Sequence, residues 1–156
     1  MQHAIDLPAL PGIPGARIAI VQGRWYHEHT DTMVEHALSV LAQAGVEVID
    51  RHVVPGCYEI PLACSTIARL GGLDAIIAIG AVIRGETHHF EQIVDHVTHG
   101  LLRVALDHDV PILNEVLGCS GVEQLIARSG DDAFNKGIEA AVAAVEMIAW
   151  RRSVLR

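Results

Sequence analysis

Short apolar runs alternate along the chain with longer segments in which apolar residues recur every three or four positions. The short runs are rich in β-branched residues and predict four strands, at residues 17–22, 46–54, 75–82 and 110–117. The longer segments predict five amphipathic helices, at about residues 30–45, 58–70, 87–106, 121–128 and 135–151. The third short run is apolar throughout, so we expect a central strand that is covered on both faces.

The order of these elements predicts the architecture. Strands that alternate with helices imply right-handed crossovers and a parallel sheet with helices on both faces, so one three-layer α/β/α domain is expected over residues 16–156. Its first helix should begin at Thr30 or Asp31, which can cap free N–H groups, and end at Gly45, which tolerates a positive φ. Residues 1–15 hold too much proline and glycine for a core segment and should form an N-terminal arm, packed on a neighbour or loose.

Composition narrows the classes of protein. The chain has 156 residues, a formal charge of −8 and no Lys/Arg-rich stripe, which argues against a nucleic-acid-binding protein. No apolar run reaches the ~20 residues that cross a bilayer, and the N-terminus lacks a cationic region followed by an apolar one. We therefore expect a cytoplasmic protein without a membrane partner. The three cysteines form no C-x-x-C pair and are interpreted as free packing residues: Cys57, Cys64 and Cys119.

Ligands of open parallel sheets bind beyond the carboxyl ends of the strands. Of the four loops expected there, residues 84–89 are the most informative, because a glycine, a hydroxyl and two imidazoles stand where a strand turns into a helix. Backbone N–H groups and the helix dipole favour an anion at such a turn, and histidine exchanges protons near neutral pH. The alternative is that Thr87 is only a helix cap and that His88 and His89 are solvated first-turn residues.

Several motifs in one order resemble a known family. GAVIRGETHHF at residues 80–90, VPGCYEIPLA at 54–63, GVEQLIARSG at 121–130 and NKGIEAAVAAVEM at 135–147 are similar to motifs of the 6,7-dimethyl-8-ribityllumazine synthase family. The resemblance covers nearly the whole chain beyond the arm. It implies a four-stranded parallel sheet in the flavodoxin-like order.

The resemblance also implies a reaction. Family members condense 5-amino-6-(D-ribitylamino)uracil with 3,4-dihydroxy-2-butanone 4-phosphate in riboflavin biosynthesis, releasing phosphate and water. No cofactor or metal takes part, so the implied partners are these two small molecules and further copies of the chain.

Site residues are carried over by motif. His89, directly before Phe90, resembles the family's acid/base histidine. Arg128 resembles the arginine that reaches the substrate phosphate, since a guanidinium fork suits oxyanions. From position alone, an exposed arginine near a helix end is the alternative. The phosphate turn corresponds to Gly85, Glu86 and Thr87.

The remaining positions concern the pyrimidine substrate. Trp25 stands where the family has an aromatic that stacks on the ring, commonly phenylalanine, although an aromatic after a strand is otherwise more often a core residue. The loop of Cys57, Tyr58 and Glu59 corresponds to the ribityl-binding segment, although Glu59 alone also suits a helix first turn. Main-chain contacts to the pyrimidine, and a pocket residue from the adjacent subunit where the family often has an aromatic, correspond to Val82, Ile83 and Asn114.

The family builds its site between subunits, which implies that Arg128 crosses to a neighbour's His89. Residues 130–134 differ from the Gly/Lys-containing kink of sixty-subunit icosahedral members, so we expect a pentamer or a decamer of two pentamers. Residues 118–120 also replace the family's usual threonine-rich turn.

Three other interpretations remain at this point. The ten histidines, above all His27 and His29 near His88 and His89, suggest a metal site, although no zinc-type spacing or H-E-x-x-H helix is present. A flavin- or lumazine-binding protein of the same fold without catalysis is the second, and a purely structural shell protein is the third.

Overall fold

The computed structural model describes residues 10–46 and 48–155. Within them, four strands form one all-parallel sheet: β1 (Arg17–Gly23), β2 (Val48–Val54), β3 (Ala75–Ile83) and β4 (Ile112–Cys119). The α-helices of this part of the chain are α1 (His27–Gln43), α2 (Ile60–Leu70), α3 (His89–His108), α4 (Val122–Ser129) and α5 (Lys136–Val154). The strand order is β2-β1-β3-β4, which confirms the three-layer α/β/α fold with its central third strand.

The sheet separates two apolar layers. Side chains of β1 and β3 alternate between its faces, because successive residues of a strand point in opposite directions. Ile18 and Ile20 belong to the cluster formed with α1 and α5, whereas Ala19 and Val21 belong to the cluster formed with α2 and α3. Burial on both faces explains why these two strands read as nearly continuous apolar runs.

Helices α1 and α5 cross at Gly137. An ideal Cβ at this glycine would lie 1.8 Å from the Met33 carbonyl oxygen, so only a residue without a side chain lets the two backbones come so close. Asn135 caps α5 there, because its Oδ1 accepts a hydrogen bond of 2.8 Å from the Gly137 N–H. The start of this helix was predicted at residue 135, which is its N-cap, and the first helical residue is Lys136.

The predicted start of α1 is wrong by one turn. The helix begins at His27, after Tyr26 in the left-handed region at φ 59°, and Thr30 and Asp31 lie inside it. The Thr30 side chain is fully buried and accepts a hydrogen bond from Gln22 Nε2 at 2.7 Å, so a contact with β1 replaced the expected cap. The predicted end is correct, since Gly45 adopts φ 82°.

Residues 1–9 of the predicted arm lie outside the described residues. The expectation that the rest of the arm avoids the core is wrong at Ile13, which is 1% exposed and donates its N–H to the Ala44 carbonyl at 2.8 Å. Its burial ties the segment before β1 to the end of α1. Within the described part, no helix is both long and apolar enough to cross a membrane.

Candidate functional site

A cavity of about 480 Å³ lies at the carboxyl ends of the strands. It lies beside β1, where the strand order of the sheet reverses, because β2 pairs with one side of β1 and β3 with the other. The loops of neighbouring strands diverge at such a point and leave a crevice. The lining residues come from the ends of the first three strands and the start of α3: Trp25, Tyr26, Gly56, Cys57, Tyr58, Glu59, Ala81, Val82, Ile83, His89 and Ile93. Seven of the positions predicted from sequence therefore share one cavity.

Trp25 is a wall of this cavity and not a core aromatic. Its side chain is 66% exposed, and the indole edge passes close to Gly56. An ideal Cβ at Gly56 would lie 3.5 Å from Trp25 Cδ1 and 3.1 Å from Glu59 Oε2. The glycine thus leaves room for an aromatic face and a carboxylate to approach the same space, a combination that suits a planar ring carrying hydroxyl groups.

Cys57 forms part of the cavity floor. It begins a short 3-10 turn, Cys57–Glu59, and its buried Sγ donates a hydrogen bond to the Ala81 carbonyl at 3.5 Å. Burial raises the pKa of the thiol to about 11, which keeps it protonated and unreactive at neutral pH. Cys64 and Cys119 are also buried and free, so the prediction that the cysteines are packing residues is confirmed.

His89 stands at the opposite wall as the first residue of α3. It is exposed and lines the cavity, whereas the adjacent His88 occupies the cap position outside it. Thr87 precedes this cap, so α3 begins two residues later than predicted. The predicted phosphate turn, Gly85, Glu86 and Thr87, is exposed beside this helix start, with nothing within 4 Å of an ideal Cβ at Gly85.

Arg84 is a neighbour of this turn that the sequence interpretation missed. Its guanidinium carbon lies 4.5 Å from the centroid of the Phe90 ring, and its Nη1 pairs with Glu91 Oε1. A hydrogen bond to the helix backbone at Glu91, reinforced by Arg84, lowers the pKa of the Glu91 carboxyl group. A cationic side chain is therefore held beside the first turn of α3.

Five predicted residues do not line the cavity within one chain: the phosphate-turn residues Gly85, Glu86 and Thr87, and, on α4 and β4, Arg128 and Asn114. Arg128, on α4, donates from Nη1 to the Gln124 carbonyl at 3.1 Å. Asn114 is exposed on the edge strand β4, where its Oδ1 accepts from the Val116 N–H at 3.1 Å. Their roles stay predictions, since both were expected to act from an adjacent subunit.

Sequence reasoning also missed a polar network behind Trp25. Gln22, 1% exposed at the end of β1, donates from Nε2 to Thr30 Oγ1 and to Asp31 Oδ1 at 2.7 and 2.9 Å. Arg51 of β2 donates to Gln22 Oε1 and to Asp31 Oδ1. The hydrogen bond from Gln22, with Arg51 nearby, lowers the pKa of Asp31. The available signal was one amide at the end of an otherwise apolar run.

The metal interpretation finds no matching cluster in residues 10–46 and 48–155. No three or more His, Cys, Asp or Glu side chains in these ranges are grouped so that they could hold a metal ion. His27, one of the histidines considered, instead lies with Nδ1 3.8 Å from Asp31 Oδ2.

Comparison with known proteins adds two findings. A family model described as 6,7-dimethyl-8-ribityllumazine synthase matches residues 15–152. Among solved structures, a GDP-L-fucose synthetase from Naegleria fowleri is similar at 12% sequence identity and a TM-score of 0.43. That match covers 97% of this chain and 49% of the other, so the chain spans about half the length of that protein.

Proposed function

Because the chain belongs to the 6,7-dimethyl-8-ribityllumazine synthase family, a family of transferases in riboflavin biosynthesis, we propose that it catalyses the family reaction itself. The substrates are 5-amino-6-(D-ribitylamino)uracil and 3,4-dihydroxy-2-butanone 4-phosphate, and the products are the lumazine, phosphate and water. No cofactor or metal is part of the proposal.

The observation that carries the proposal is that His89 lines the same cavity as Trp25 and Glu59. An exposed indole offers a stacking face for the pyrimidine, and a carboxylate accepts hydrogen bonds from ribityl hydroxyl groups. Tyr58 and the main chain of Cys57 border the ribityl side, and the main chain at Val82 and Ile83 borders the ring. These groups bind and orient the pyrimidine substrate, which leaves proton transfer to the imidazole of His89.

His89 moves protons at each stage of the proposed reaction. Imine formation between the 5-amino group and the ketone releases water, phosphate elimination requires loss of a carbon-bound proton, and ring closure releases a second water. An imidazole can accept a proton at one ring nitrogen and donate one from the other, so the same side chain serves all three steps in turn. The departing phosphate is held by Gly85, Glu86 and Thr87 at the start of α3, together with Arg128.

The proposed enzyme is a cytoplasmic homo-oligomer, a pentamer or a decamer of two pentamers, in which Arg128 completes the site of an adjacent subunit. Exposed leucines support an assembly, because monomers rarely leave such apolar surface uncovered. They lie on α2 and α3: Leu62, Leu70, Leu102 and Leu106. We further propose that residues 16–156 form the catalytic domain and residues 1–15 an arm, whose end packs on the core of that domain at Ile13.

A direct assay tests the activity. The purified protein is mixed with both substrates and lumazine absorbance is followed, with the substrates alone as the control for uncatalysed condensation and a His89→Asn variant at equal concentration as the matched protein. A rate above that of the variant is expected. No excess over the uncatalysed background would reject the enzyme.

A non-catalytic flavin- or lumazine-binding role is the second candidate, favoured by the exposure of Trp25 inside the cavity. Quenching of tryptophan fluorescence by riboflavin, without turnover of the two substrates, would select it.

A further inference from the structure

We propose that a hydrogen-bond network, in which Gln22 and Thr30 are buried and Asp31 and Arg51 are half-exposed, positions Trp25 so that its indole face can receive the heteroaromatic substrate. The inference rests on the proposed function, because it treats Trp25 as the face that receives this substrate. None of the four network residues lines the cavity in which Trp25 stands. They act through the backbone that carries the indole.

The network leaves its central amide no freedom. Gln22 Nε2 has two protons, which go to Thr30 and Asp31, and Oε1 accepts from Arg51 Nε at 3.1 Å and from Nη2 at 2.6 Å. All four hydrogen-bonding positions of the amide are used. Because arginine can only donate and a carboxylate can only accept, Oε1 must face Arg51, and a flipped amide would lose its contacts with Arg51 and Asp31.

The network is connected to Trp25 at both ends of its loop. On one side, the Thr30 N–H donates to the Tyr26 carbonyl at 3.0 Å, so the threonine that holds Gln22 also holds the residue after Trp25. Tyr26 adopts the left-handed conformation that turns the chain into α1. On the other side, the Arg24 N–H donates to the Val54 carbonyl of β2 at 2.9 Å, three residues beyond Arg51. The backbone at Trp25 is therefore held on one side by Thr30, a member of the network, and on the other side by β2, the strand that carries Arg51.

Burial of Gln22 and Thr30 makes the centre of this arrangement stiff. A polar group removed from water is costly when it loses its partner, so the Gln22 amide and the Thr30 hydroxyl stay paired. An apolar residue at position 22 would continue the apolar pattern of β1. An amide at this position is explained if the end of β1 must be held to α1 and β2 at fixed angles. Hydrogen bonds specify such angles, and an apolar contact does not.

The test uses a Trp150→Phe background, which leaves Trp25 as the single tryptophan. Arg51→Met, at a half-exposed site on an edge strand, removes the donors to Gln22 Oε1. Gln22→Met removes every hydrogen bond of the amide and leaves only the Arg51–Asp31 pair. Arg103→Met is the matched control, because it breaks only the solvent-exposed pair with Asp107 on α3. Circular dichroism checks that each variant is folded.

Two readouts follow. The Kd of 6,7-dimethyl-8-ribityllumazine, measured by quenching of Trp25 fluorescence, should rise about tenfold in Arg51→Met and further in Gln22→Met. The KM for the pyrimidine substrate should rise in parallel, while the KM for the phosphate substrate changes less than about twofold. Arg103→Met should change neither quantity.

The results separate the two proposals. A folded Arg51→Met protein with unchanged lumazine affinity, or with equal rises in both KM values, would overturn the positioning role even if the enzyme is active. If the protein shows no turnover but the network variants show weaker quenching by lumazine, the positioning role is supported and the catalytic function is rejected. If lumazine does not quench Trp25 in the background protein, the positioning role fails, and the turnover assay alone decides the catalytic function.

Discussion

Gly80 and Cys57 are packed so closely that a methyl group on the glycine would collide with the thiol. An ideal Cβ at Gly80 would lie 2.6 Å from Cys57 Sγ and 3.3 Å from Ile60 Cδ1. The strand that ends at the cavity therefore needs a glycine under the cysteine that forms the cavity floor.

Gly80→Ala is expected to destabilise the protein by about 1–3 kcal/mol, because the added methyl overpacks a filled site. Cys57→Ala in the same chain should recover much of this loss, since it removes the atom nearest to the new methyl. Urea unfolding of the two single variants and the double variant gives the coupling free energy. Gly12→Ala, where nothing lies within 4 Å, is the control. Additive effects of the two substitutions would contradict the described contact.

Glu115 should make folding stability depend on pH. Burial, with help from the nearby Glu139 and against the attraction of Lys136, raises its pKa from 4.5 to about 7. Between these values the unfolded chain has lost a proton that the folded chain keeps, so stability is full below pH 4.5 and falls as pH rises through 7. The loss is about 3 kcal/mol, from ~1.4 kcal/mol per unit of pKa shift.

Glu115→Gln should remove this fall, and unfolding by urea at pH 4.5 and pH 8, at one protein concentration, measures it. The stability of the variant relative to the unsubstituted protein should therefore rise by about 3 kcal/mol over that window. Glu146→Gln, at an exposed position of α5, should not change the slope. Parallel curves for Glu115→Gln and the unsubstituted protein would show that folding does not raise the pKa of this carboxyl.

The adjacent histidines should behave differently. His89 lines the cavity and His88 does not, so His89→Asn should lower kcat by about 10²- to 10⁴-fold, the range for loss of a general acid/base. His88→Asn should keep kcat within about threefold, as expected of a substitution away from the reacting atoms. Steady-state kinetics with both substrates measures these values, and equal losses in the two variants would show that helix placement and not proton transfer is the cause.

Arg128 should matter mainly for the phosphate substrate. Arg128→Ala removes a charged donor and should raise the KM for that substrate about 10- to 100-fold, with little change for the pyrimidine. Arg103→Ala on α3 is the matched loss of an exposed arginine. Equal rises of the two KM values in Arg128→Ala would contradict a phosphate contact.

Mixed oligomers test whether Arg128 acts across a subunit boundary. His89→Asn and Arg128→Ala proteins are dissociated, reassembled together in equal amounts and assayed with the phosphate substrate well below the raised KM of Arg128→Ala. Unimpaired activity should return at roughly a quarter of the sites, where one subunit supplies the histidine and its neighbour the arginine. Each variant treated alone provides the baseline. Activity that stays at this baseline after mixing would mean that both groups must come from one chain.

The sequence by itself determined the alternation of strands and helices, the central third strand and the loops that carry the candidate site. Each of these follows from short-range periodicity and from the rule that parallel strands end at one edge. The motif from Gly80 to Phe90 was informative because its residues are neighbours in the chain.

Only the tertiary structure decided which distant groups meet. From the sequence alone, Thr30 is a plausible helix cap. In the fold, its hydroxyl accepts a hydrogen bond from the Gln22 amide of β1, and Arg51, 29 residues further along the chain, donates to the same amide. Ile13, which was expected in the arm, is buried instead, because it packs at the end of α1 and its N–H donates to a carbonyl there. Such contacts depend on strand register and helix packing, which local periodicity does not encode, because each is set by the burial of all the other elements at once.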